Sequence, residues 1–437
     1  MRFQAPRGTQ DVLPDQSPKW QRLEAAFREL CRLYGYREIR TPTFEDTELF
    51  VRSSGETSEV VSKQMYSFTD KGGRNITLKP EGTAPTIRAM IEHGLCRPGV
   101  VERVYYVTPI FRYERPQMGR LREPHQVGIE LVGSSAPAAD AEVIEFTVRF
   151  YERIGLKDVS VLLNSLGRGE CRERYRAALL EYAKPALEGM PDDFRASAMR
   201  NPLRLLDSKD EGLQKALAGA PKVLDFLEEE SREKFGRLQE ILRAAKVSFE
   251  IDPGIVRGLD YYTETVFEVR SKSLGAQDAL CGGGRYDDLI RELGGPDMPS
   301  VGVAMGIERA LLVLDASGAV AAADAIDVFL AAIGPEAEAN ARALAATLRD
   351  SGISCVTDPD AKSLRSQLNQ ANRIGARFAA ILGEDEIASG TVCLRDMASG
   401  EQRSLPASQL GSEIAAQSTD SKARPSPKKA SAGVERQ

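Results

Sequence analysis

Two β-rich runs, Val100 to Arg112 and Gln126 to Val132, flank a polar loop that carries four arginines within eleven residues: Arg112, Arg115, Arg120 and Arg122. Two such runs joined by one loop pair antiparallel, because parallel strands need a longer crossover. The pattern predicts an α+β body with a mainly antiparallel sheet and rules against a regular βαβ series. Helical spacing appears at Trp20 to Tyr34, which Gly35 stops, and again from Ser134 to Arg153. Strands are expected at Tyr36 to Phe44, closed by Thr41-Pro42, and at Val159 to Leu163, Tyr261 to Arg270 and Ser300 to Met305. A helix is expected to start near Gly306.

At 437 residues the chain exceeds one ordinary domain. The body is expected over residues 1–318, interrupted at about 169–245 by a helical insertion rich in Ala, Leu, Glu and Arg. The small, weakly patterned run Asp315 to Ala325 reads as a linker. After it, strands at Asp327 to Ile333, Ile353 to Thr357 and Phe378 to Gly383 alternate with helices at Glu336 to Ser351 and Leu364 to Ile374. That order predicts a small α/β domain over 326–410 with a largely parallel sheet. Residues 418–437 are rich in Ser, Ala, Pro and Lys and read as a disordered, locally basic tail.

No run of 18 apolar residues occurs, so no membrane span is expected, and the first residues lack the apolar stretch of a secretory signal. The six cysteines form no CxxC pair and read as reduced thiols, which suits the cytoplasm. Two histidines, His93 and His125, exclude a multi-histidine metal site. The net charge of -6 taken alone argues against a nucleic-acid partner, but binding depends on where the basic residues sit.

Five segments carry potential chemistry. In the arginine loop, strand alternation places Arg112 and Glu114 on one face; the planar arginine fork suits phosphate, whereas the plain alternative is a solvated hairpin. VRGLDYYTETVFEV (256–269) reads structurally as a turn and an edge strand with a core tyrosine. CGGGRYDDL (281–289) fits no nucleotide motif, so its glycines suggest a tight turn lining a cleft. SVGVAMGIER (300–309) reads as a strand-to-helix junction with Arg309 in the first helical turn, and LKPEGT (78–83) as a Pro-Glu-Gly turn.

Taken in order, these segments resemble the class II aminoacyl-tRNA synthetases, and within them the histidyl enzymes. GYREIRTP, ending at Pro42, is similar to the first class motif; FRYE through HQVGIE (111–130) to the second; GVAMGIER to the third. RGLDYY and GGGRYDDL resemble the two histidyl signatures, and the likeness runs from Arg7 to about Leu410. The resemblance implies ATP-dependent activation of L-histidine to an adenylate and transfer to tRNA(His), with Mg²⁺ accompanying the ATP phosphates and a homodimer meeting near Pro42. It implies that Arg112 and Arg257 are catalytic, and that Glu81, Gly82, Thr83, Gln126, Glu130, Arg257, Tyr261 and Tyr262 bind histidine. It further implies that Arg112, Glu114, Arg120, Pro124 and Arg309 bind ATP, and that Arg115 and Gln117 meet the tRNA. Pro124 departs from the family, which usually stacks an aromatic ring on adenine there. Two other functions compete: a synthetase-like regulatory subunit of an ATP phosphoribosyltransferase, and a tRNA-binding module without catalysis. Intact Arg257, Tyr261, Tyr262 and Arg309, and GEDEIASGTVCLRDMASGEQ (383–402), similar to the anticodon-binding domain, disfavour both.

Overall fold

A computed structural model describes residues 3–55, 58–117, 119–206, 208, 210–271, 279–316, 326–360 and 362–421. Most of the expected linker, 317–325, lies outside the described residues, as does the expected tail from 422 onward. The chain divides into two compact units, Met1–Val320 and Ala321–Gln437.

The first unit is built on an eight-stranded sheet: β1 (Arg37–Glu38), β2 (Glu102–Pro109), β3 (His125–Val132), β4 (Ser160–Ser165), β5 (Phe249–Ile251), β6 (Thr263–Arg270), β7 (Ala279–Arg285) and β8 (Ser300–Gly306), in the spatial order β1-β2-β3-β8-β7-β6-β4-β5. The five inner pairings are antiparallel, and only the outermost pair at each edge is parallel. The expected hairpin is therefore the β2–β3 pair, next to one edge of a mainly antiparallel sheet.

Strand periodicity sorts the residues into two faces. Val127, Ile129 and Leu131 of β3, Val301, Val303 and Met305 of β8, and Phe267 and Val269 of β6 enter one core with helices Ser17–Tyr34, Pro137–Arg153, Glu229–Ala244 and Ile307–Ala316. Phe27 is fully buried there, edge-on to Tyr105, Phe146 and Phe150 at 5.4–5.8 Å. Truncating a side chain so placed costs about 3–5 kcal/mol. The other set, including Gln126 and Glu130 of β3, Gly302 and Ala304 of β8, and Glu268 of β6, belongs to the opposite face, where the candidate site lies.

Two expectations are corrected. The strand from Tyr36 to Phe44 is two short pieces in different sheets: β1, and Phe44–Asp46, which joins a small sheet with Tyr66–Thr69 and Asn75–Leu78. The glycine run 282–284 is not a tight turn but the middle of β7. Its glycines relieve crowding rather than reverse the chain: a Cβ on Gly282 would lie 2.1 Å from the Arg257 guanidinium. Arg285, just after them, donates to Asp140, to Asp287 at 3.1 Å and to the Ser134 carbonyl at 2.9 Å, tying β7 to helix Pro137–Arg153. In the region expected as a helical insertion, helix Glu229–Ala244 sends Phe235, Leu238 and Leu242 into the main core, whereas the preceding helices form smaller clusters of their own.

The second unit carries a five-stranded sheet in the order Cys355–Thr357, Val328–Ala332, Phe378–Leu382, Thr391–Asp396 and Gln402–Pro406. The first two pairings are parallel and the last two antiparallel, so the sheet is mixed where a largely parallel one was expected. The difference is a hairpin whose polar, exposed second strand hides the period-two signal. Helix Leu410–Ser421 buries Leu410 and Ile414 in the core, so packed structure continues past 410.

Candidate active site

A cleft of about 460 Å³ opens on the polar face of the large sheet, a size typical of ligand pockets. Arg112, Glu114, Arg120, Pro124, Gln126, Glu81, Thr83, Arg257, Tyr261, Tyr262 and Arg309 all line it. Segments separated by more than 200 residues in sequence thus meet in one place. Five arginines, Arg112, Arg120, Arg257, Arg270 and Arg309, share the cleft with four acids, Glu81, Glu114, Glu268 and Glu308.

The phosphate-suited side is built by the β2–β3 loop. Regular pairing ends at Pro109 and His125, and beyond it Ile110 and Arg112 still donate backbone N–H groups to Pro124 and Arg122 at 2.9 Å. Glu114 N then donates to Arg112 O at 2.7 Å, a tight local turn that breaks strand alternation. Arg112 and Glu114 share the cleft through this turn, not through a strand. Arg112 Nε donates to Pro80 O at 2.7 Å, which fixes its guanidinium plane, and Arg120 pairs with Glu114 at 3.6 Å. Arg115 and Gln117 are exposed and do not line the cleft.

A buried acid, Glu130, does not itself line the cleft but bonds to Thr83, which does. Glu130, fully buried on β3, accepts from Thr83 Oγ1 at 2.7 Å on one carboxyl oxygen and from the Tyr286 hydroxyl on the other. It sits across from Gly302 of β8, where a Cβ would lie 1.7 Å from its carboxyl oxygen, so this acid requires that glycine. Burial pushes Glu130 up to about 8, against the hydrogen bonds of Tyr286 and Thr83, and nearby Glu81 adds to the rise. Glu81 caps helix Thr83–Glu92, accepting the N–H groups of Thr83 and Ala84 at 2.6 and 2.8 Å; burial raises it too. The Tyr261 and Tyr262 rings lie 4.7 Å apart, and Tyr261 meets Tyr286 edge-on at 5.6 Å. Gln126 Oε1 is buried with no hydrogen-bond partner, an acceptor facing a donor the protein does not supply.

Sequence reasoning missed four participants. Tyr286, quoted in GGGRYDDL, holds Glu130. The Tyr106 ring fills the space over Gly82 and Gly128. Glu268 takes Arg257 Nη1 at 3.3 Å and Arg270 Nε at 2.5 Å, so Arg257 has a carboxylate partner that the sequence did not reveal. The available signal was a lone glutamate inside the apolar run VFEV. Glu308, beside Arg309, accepts from the His125 backbone N at 2.9 Å and from its ring Nδ1 at 3.0 Å. Burial opposes the charge on His125, but the Glu308 contact outweighs it and holds the imidazole above its usual pKa.

With this geometry in hand, comparison with known proteins is informative. A family model described as histidyl-tRNA synthetase matches residues 8–310, and one described as an anticodon binding domain matches residues 327–417. A histidine–tRNA ligase of Caldanaerobacter subterraneus subsp. tengcongensis is 47% identical over 406 residues, 93% of this chain and 97% of that protein. One from Thermoanaerobacter pseudethanolicus is 46% identical over 415 residues, 95% and 99% of the two chains. The crystal structure of apo S. aureus histidyl-tRNA synthetase superposes with a TM-score of 0.80 at 35% identity, covering 94% of this chain and all of that one.

Proposed function

The chain belongs to the histidyl-tRNA synthetase family, and from that premise we propose how its cleft divides the labour of the family reaction. The enzyme ligates L-histidine to tRNA(His) through a histidyl-adenylate, at the expense of ATP. The chemistry asks for alignment of two anions and stabilisation of charge at the α-phosphorus, not for a covalent nucleophile. Arg112, its plane fixed by Pro80, keeps its terminal nitrogens for the α-phosphate and the histidine carboxylate. Arg257 approaches the same centre from β6 and β7. Glu114, Arg120, Pro124 and Arg309 hold the nucleotide. Among the described residues no group of three acidic, histidine or cysteine side chains forms a resident metal site. Isolated carboxylates beside a phosphate site suit Mg²⁺ that arrives with ATP and adds charge neutralisation there.

The observations that carry the reading are the buried Glu130 and, four residues earlier on the same face of β3, the unpartnered Gln126 Oε1. Imidazole offers one N–H donor and one bare nitrogen. Glu130 accepts the first and the Tyr262 hydroxyl, beside Tyr261, donates to the second. Gln126 accepts from the α-ammonium, whose charge also compensates buried Glu81 next to Gly82 and Thr83. A ligand lacking these groups leaves buried polar atoms unpaired, which excludes other amino acids without an editing site. The second unit reads the anticodon, and exposed Arg115 and Gln117 meet the acceptor end. The working form is a homodimer in the cytoplasm; all six cysteines are free thiols, and no helix among the described residues is long and apolar enough to cross a membrane.

Glu130→Gln tests the assignment. The Michaelis constant for histidine in ATP–pyrophosphate exchange is expected to rise about 10–100-fold, the cost of leaving a buried polar partner mismatched, with the constant for ATP little changed. An unchanged histidine constant, or a rise for ATP alone, removes Glu130 from imidazole recognition. The same variant has a pH signature. Because the folded pKa is raised, Glu130 favours folding fully below its ordinary value of about 4.3, and this contribution is lost as pH rises to about 8. The melting temperature of the free enzyme is expected to fall across pH 5–8 more steeply than that of Glu130→Gln; equal slopes contradict the burial argument.

A further inference from the structure

Strand β6 begins at Thr263, so the Tyr262 carbonyl lies just outside the sheet ladder and must find a donor elsewhere. The donor is Arg172, on helix Glu170–Leu187, whose Nη1 reaches the Tyr262 carbonyl at 2.8 Å. This is an unusual use of a charge. Arg172 is half-buried, its Nε is buried without a hydrogen-bond partner, and among the described residues it forms no ion pair. Burial, with Arg176 one turn along, pulls it below the usual arginine value. Asp260, Glu173 and Asp288 offset part of that burial cost without forming an ion pair with it, so the guanidinium is held there at a cost in folding free energy. A second donor from the same helical region grips the loop two residues earlier: Asn201 Nδ2 donates to Asp260 Oδ1 at 3.0 Å. The two grips are joined, because Arg176 Nη2 donates to the Arg200 carbonyl at 2.7 Å.

We propose that Arg172, assisted by Asn201, is a positioning residue for histidine recognition: it sets the loop Asp260–Thr263 so that the Tyr261 and Tyr262 side chains stand over Glu130. The helices that begin at Glu170 thereby act on the amino-acid pocket without touching the substrate. This inference rests on the reading of Tyr262 as an imidazole contact, so the experiment measures both.

Arg172→Ala, Arg172→Lys, Asn201→Ala and Tyr262→Phe are compared in histidine-dependent pyrophosphate exchange, with active-site titration and melting temperatures. Arg172→Ala is expected to raise the histidine Michaelis constant roughly ten-fold, the worth of one charge-assisted hydrogen bond, with the ATP constant unchanged. Arg172→Lys, which keeps a charged donor, should recover part of the loss. Asn201→Ala should raise the histidine constant by a smaller factor, and it carries the test if Arg172→Ala does not fold. A merely structural role would lower the active fraction or melting temperature and leave both constants alone. The proposal is overturned if the histidine constant stays put in the Arg172 variants, or in Asn201→Ala where that carries the test, or if both constants move together, while Tyr262→Phe raises it. If Tyr262→Phe leaves the histidine constant unchanged, the Tyr262 assignment falls, and the proposal with it.

Discussion

Arg257→Ala is expected to yield a folded enzyme that binds ATP and exchanges pyrophosphate about 10²–10³-fold more slowly, the usual cost of one preorganised charge donor. The guanidinium lies directly over Gly282 of β7 and is held by Glu268 at 3.3 Å. That partner explains why the variant should fold. Removing one member of a buried ion pair is damaging when it strands the other, but Glu268 keeps Arg270 at 2.5 Å. The loss should therefore appear in turnover rather than stability. The comparison is the exchange rate at saturating histidine and ATP beside a melting curve. Near-normal exchange removes Arg257 from the mechanism, whereas collapse of the melting curve makes it a structural residue.

A protein ending at residue 320 is expected to retain histidine-dependent exchange while tRNA charging falls by more than about 10²-fold, since each lost base contact is worth 1–3 kcal/mol. Every residue lining the cleft belongs to the first unit, and the second unit has cores of its own on both faces of its sheet. The main core cluster of the first unit is built from that unit's residues alone. Initial charging rates at limiting tRNA decide the matter. Normal charging by a stable truncated protein would show that residues 321–437 contribute nothing to tRNA selection.

The large sheet was legible wherever a strand buries one face completely: Val127, Ile129 and Leu131 alternate with polar or small partners, and the strand assignment at 126–132 follows. Legibility failed where glycine replaced that signal. In β7, residues 282–284 have no side chains to alternate, and the need for them comes from Arg257 and from strand neighbours distant in sequence. The cleft residues were legible as a set only through resemblance. Composition and spacing alone left Arg112 and Glu114 as an ordinary hairpin, and the strand-alternation argument for them does not hold at the turn Arg112–Glu114. Tyr286, Glu268 and Glu308 were invisible for a different reason. Each acts on a residue between 11 and 183 positions away, Glu130, Arg257 or His125, and no local period encodes such a pairing.

The most direct measurement is ATP–pyrophosphate exchange by the full chain with each of the twenty amino acids offered in turn. The account predicts exchange that depends on L-histidine, proceeds without tRNA and is absent with the other nineteen. On the proposed reading, buried Glu130 and Gln126 Oε1 meet one imidazole and one α-ammonium, and Arg112, Arg120 and Arg309 the phosphates. A folded, ATP-binding protein that exchanges nothing in the presence of histidine would contradict it, and would mark the cleft as one that binds these ligands without joining them.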